Sequence, residues 1–62
     1  MQENNKKWYN VEIDKKSAIE FSMWLHLQGY KFESSSCYNL VHYEVYLTKE
    51  EVQICNLFLN TL

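Results

Sequence analysis

The sequence predicts an α+β domain of order β-α-β-β-α, folded as a two-layer sandwich. Three features carry that prediction. Segments 8–14 and 39–47 alternate apolar and polar residues, the period of a half-buried strand. Two stretches between and after them have the 3.6-residue period of helices, each opened by a capping pattern. The only glycine, Gly29, stands where the first helix should stop, and proline is absent.

The first element is "WYNVEID", 8–14. Tyr9, Val11 and Ile13 fall on one face, and Trp8, Asn10, Glu12 and Asp14 on the other. "SAIE" then fits a capping box, Ser17 with Glu20, so a helix is expected from about 18 to 28. "YKFESSSCYNLVHYEVYL" reads as a hairpin, with one strand near 30–36 and a longer one near 39–47. Both "SSS" and "YN" suit the turn. In the longer strand Val41, Tyr43, Val45 and Leu47 share a face, while Leu40, His42, Glu44 and Tyr46 share the other. "TKEE" is a second capping box, Thr48 with Glu51, and opens a helix reaching about Thr61.

A right-handed crossover sets strands 1 and 2 parallel. The third strand, antiparallel to both, then fits between them in order 1-3-2. Both helices cover one face of a three-stranded antiparallel sheet and the other face stays open. Residues 1–62 form one small domain, near the lower size limit for folding alone.

Composition excludes several classes of function. Six lysines stand against eight acids, for a net charge of −2, and arginine is missing. Guanine and phosphate recognition favour arginine, so nucleic acid is not the expected partner. No run approaches a membrane span and the first ten residues carry no apolar signal core. Cys37 and Cys55 lack metal or redox spacing. Both are expected as free, small core residues in a reduced, cytoplasmic protein.

Catalytic and metal chemistry find little support. His26 and His42 match no ligand spacing, and no cofactor or small-molecule substrate is implied. Cys37 and His42 are five apart, which sets them on opposite faces if one strand carries both. With one glycine, already a helix cap, an oxyanion hole is hard to build. The run "LQGYKFESSS", followed by His42 and "YLT", resembles part of the small toxin ribonucleases with a double-stranded-RNA-binding-like fold. That resemblance spans about half the chain and implies a ribonuclease that depends on His42. The N-terminal strand and the scarcity of cations depart from that pattern.

Helix 1 carries more apolar surface than one core needs. Ala18, Phe21, Trp24 and Leu25 form one arc, and Ile19, Met23 and Leu27 a second stripe nearly opposite. The second helix has its own arc of Val52, Cys55, Phe58, Leu59 and Leu62, with Ile54 and Leu57 outside it. Either the helices bury each other's surplus, or the stripe is an interface. The expected role is non-catalytic protein–protein interaction, by a homodimer or a small inhibitor of phage or bacterial, anti-defence type. A nucleic-acid-associated regulator ranks second. The candidate interface comprises Ile19, Met23 and Leu27 on the helix and Trp8, His42 and Tyr46 on the open sheet face.

Overall fold

The structure, a computed structural model, describes residues 5–62. Its elements are β1 (Lys7–Asp14), α1 (Lys15–Gln28), β2 (Lys31–Cys37), β3 (Leu40–Leu47) and α2 (Lys49–Leu59). The sheet has the order β1-β3-β2 and is antiparallel throughout. Both helices pack on one face, giving the α+β sandwich the sequence predicts.

The central strand β3 organises the core. Its inward residues Val41, Tyr43, Val45 and Leu47 are all buried, as are Ala18, Phe21 and Leu25 of α1 and Cys55 of α2. Phe21 meets the Tyr43 ring edge-on at 4.8 Å. Trp24 and Phe58 stack at 4.5 Å with 7° between their planes, joining the two helices. Offset or edge-on aromatic pairs of this kind add to what their area burial contributes.

Two local signals read from the sequence hold. Thr48 Oγ1 accepts from the Glu51 amide at 3.2 Å, and the Glu51 carboxylate accepts from the Thr48 amide at 2.9 Å. Gly29 adopts φ 78°. Its amide donates to the His26 carbonyl and that of Tyr30 to the Leu25 carbonyl, which is a Schellman closure. The Tyr30 ring then packs on Trp24 at 5.7 Å.

Other expectations are corrected. Ser17 does not cap α1, which begins at Lys15 with Asp14 at the N-cap and no side-chain cap bond. The Lys15 amide donates instead to the Asn39 carbonyl in the β2–β3 turn, at 2.8 Å. That long-range acceptor lets the helix start three residues early. Of the two turns left open, Tyr38–Asn39 forms, with Tyr38 at φ 56°, and the serines lie within β2. Helix α2 ends at Leu59, and Leu62 is exposed. Cys55 is buried and free, but Cys37 is free and exposed, because it ends an edge strand on the face without helices.

Candidate functional site

The six candidate interface residues divide between opposite faces of the molecule. Ile19, Met23 and Leu27 lie on α1 in the helical layer. Trp8, His42 and Tyr46 lie on the open face of the sheet. No single partner surface of ordinary size touches both sets.

On the helical side the stripe is bare. Ile19, Met23 and Leu27 are 72%, 60% and 77% exposed. Helix α2 does not cover them, because Phe58 contacts α1 through Phe21 and Trp24, on the other side of the helix wheel. On α2, Ile54 and Leu57 are exposed as well. Contiguous apolar side chains facing water are uncommon on a small monomer.

Beside the stripe runs a groove of about 430 Å³ between α1 and the edge strand β2. Ile19 and Met23 form one wall, with Ser34 and Ser36 opposite and Ser22 and Tyr43 at the base. The Tyr43 hydroxyl donates to the Ala18 carbonyl at 2.8 Å and accepts from Ser22 Oγ at 2.5 Å. The base is thus polar but satisfied, and it offers few free groups to a small ligand. Sequence reasoning missed this groove. Ser34 and Ser36 face the helices because they pair with Tyr43 and Val41, and no local pattern shows that α1 stops short of covering them.

The open face has a different character. Trp8 and Tyr46 are neighbours across β1 and β3, ring centroids 5.0 Å apart, and Lys6 Nζ sits 5.9 Å from the Tyr46 ring. His42 Nδ1 lies 3.8 Å from a Glu12 carboxylate oxygen. Glu33 and Glu44 are directly opposed on β2 and β3, a pairing that repels. The face is predominantly acidic.

Cys37 and His42 share this open face rather than opposing ones, because the turn at 38–39 puts them on separate strands. Cys37 pairs with Leu40 and His42 with Ser35, so the two are diagonal neighbours, roughly 7–8 Å apart in antiparallel geometry. That exceeds the hydrogen-bond reach a nucleophile and base need. Among the described residues no three His, Cys, Asp or Glu side chains are grouped to hold a metal ion. Burial raises the Cys55 thiol pKa, and burial, then Glu51 and Cys55, raises that of the Tyr30 hydroxyl. Cys55 lies in the core beneath α2, and Tyr30 is half-buried against it just after α1. Among the described residues no helix is long and apolar enough to cross a membrane.

The fold and these two surfaces define the molecule as a small α+β sandwich with an unpaired apolar helix face. No family model matches the chain, no curated protein matches it, and no solved structure matches it.

Proposed function

We propose that this chain is a non-catalytic protein-binding module that acts through the outer face of α1. The exposure of Ile19, Met23 and Leu27 carries this reading. Each would bury most of an aliphatic side chain in a complex, worth about 1.5–3 kcal/mol when complete. Methionine at the centre of the stripe adapts to an irregular partner surface. Small size suits a role as a homodimer or as an inhibitor that occludes a larger target, of phage or bacterial type. The free thiols fit a reducing compartment such as the cytoplasm.

A nucleic-acid role draws support from Trp8, Tyr46 and Lys6, an aromatic pair with an adjacent cation. Against it, Glu12, Asp14, Glu33 and Glu44 occupy the same face and repel phosphates.

The test is the double change Met23→Lys and Leu27→Lys, read by thermal melting and light scattering. Lysine is about as good a helix former as leucine or methionine, and both sites are mostly in water. The variant should melt within a few degrees of the parent and lose self-association or target binding. Unfolding would mean that the stripe is core, and the proposal would fall.

A further inference from the structure

The exposed stripe of α1, the groove beside it and the free edge of β2 are contiguous, and one occupant can cover all three. We propose that this occupant is a second copy of the chain. Strand β2 pairs antiparallel with the partner's β2 across a twofold axis normal to the sheet, joining two three-stranded sheets into one of six strands. The inference rests on the protein-binding reading above and names its partner.

Tyr38–Asn39 is a two-residue turn closed by the Cys37–Leu40 pair, and in such hairpins the closing pair is hydrogen-bonded. Cys37, Ser35, Glu33 and Lys31 therefore direct their amides and carbonyls to β3. Phe32, Ser34 and Ser36 direct theirs outward, forming a ladder along the edge that is unpaired among the described residues. The side chains of those same three residues point to the helical side.

Register follows from overlap and charge. Centring the axis on Ser34 pairs all seven residues of β2, with Phe32 opposite the partner's Ser36 and Ser34 opposite the partner's Ser34. On the open face Lys31 then meets the partner's Cys37, and Glu33 meets the partner's Ser35. Sliding two residues one way sets Glu33 against the partner's Glu33, which repels. Sliding the other way leaves Lys31 and Phe32 beyond the end of the partner strand. Only the register centred on Ser34 is both full-length and free of like-charge pairs.

The same register explains the helix face. Tyr43 pairs with Ser34, and its hydroxyl touches Ala18 and Ser22, so the axis passes beside α1 at the level of Ile19 and Met23. The twofold keeps both helical layers on one side of the sheet. It brings the two α1 helices together antiparallel over the junction, Ile19 of one copy toward the partner's Met23. Small side chains at Ser34 and Ser36 leave room beneath them. The other edge differs: β1 packs three residues, Tyr9, Val11 and Ile13, against the core where β2 contributes Phe32, and Lys6, Lys7, Lys15 and Lys16 surround that strand, the usual guard against edge pairing.

Light scattering on the whole chain, 7.5 kDa, gives the first readout: about twice that mass is expected. Ser34→Pro removes an outward amide that β3 does not use. The variant should stay folded, since proline is tolerated on an edge with its nitrogen to solvent, and should weaken self-association by about a hundredfold. Ser34→Cys in a Cys37→Ser background places a thiol on the axis and should oxidise to a covalent dimer, whereas Ser35→Cys should not. Should Ser34→Pro fail to fold, the Ser34 and Ser35 crosslinks decide. A wild-type monomer at concentrations on the order of 100 μM, or a dimer with no crosslink at position 34, overturns the pairing. The protein-binding reading then stands or falls separately, on whether the Met23→Lys, Leu27→Lys variant remains folded.

Discussion

Replacing Tyr43 by phenylalanine removes one oxygen from the base of the groove and leaves the ring in place. The hydroxyl donates to the Ala18 carbonyl and accepts from Ser22, and each such bond contributes about 0.5–1.5 kcal/mol net. Neither partner is left stranded. The Ala18 carbonyl lies within the α1 hydrogen-bond ladder, and half-buried Ser22 lines the groove, where water reaches it. The cost should therefore stay near the sum of the bonds, about 1–3 kcal/mol. In a chain of this size that lowers Tm by roughly 4–8 °C per kcal/mol. Urea and thermal melts at one fixed protein concentration measure it, and Ser22→Ala completes a double-mutant cycle. The double variant should lose less than the two singles together, by roughly 0.5–1 kcal/mol. Wild-type stability in Tyr43→Phe, or strict additivity in the cycle, would refute the hydroxyl pair as a tie between α1 and β3.

Phe21→Ala empties the centre of the core at a cost of about 3–5 kcal/mol, comparable to the whole stability of about 3–9 kcal/mol expected for 62 residues. A variant melting within a few degrees of the parent would disprove the burial of that ring. A thiol reagent should modify exposed Cys37 promptly and Cys55 only on opening of the fold, and equal rates would contradict this. Burial raises the Cys55 and Tyr30 pKa values from 9.0 and 10.0, so the unfolded chain loses these protons first. Their contribution is complete below about pH 9 and declines as pH rises beyond it, visible as a falling urea midpoint in alkali. Tyr38 holds φ 56° while 92% exposed, so Tyr38→Gly should gain on the order of 0.5–1 kcal/mol. Loss of stability there would show that the ring makes a contact.

What the sequence revealed is what neighbouring residues settle among themselves. The Thr48–Glu51 box and the Gly29 closure each involve groups within a single turn, so spacing alone exposes them. The start of α1 was misread because its first amide is satisfied by Asn39, on the far side of a hairpin. Three serines suit a strand or a turn equally, so the turn itself stayed open between 34–36 and 38–39. Cys37 passed for core because its residue type suggests burial, while its position at the end of an edge strand does not. For the candidate site, period 3.6 separated Ile19, Met23 and Leu27 from the core arc. The groove depended on how far α1 reaches over β2, a tertiary quantity with no local signature.

Strand β3 joins both edges of the sheet, and it is the last of the three strands to be synthesised. Lys7 waits for Leu47, and Asp14 for Leu40. Until β3 emerges, β1 has no ladder, α1 lacks the Asn39 acceptor, and Phe21 has no Tyr43 to pack on. No half of the chain can therefore stand as a stable intermediate during synthesis. Non-local pairing of this kind folds more slowly than a helical bundle of equal length, and it keeps the apolar segments uncovered meanwhile. A nascent chain halted before residue 47 would be a substrate for chaperones and proteases, whereas one in which β3 and α2 have emerged can close the sheet and the core together.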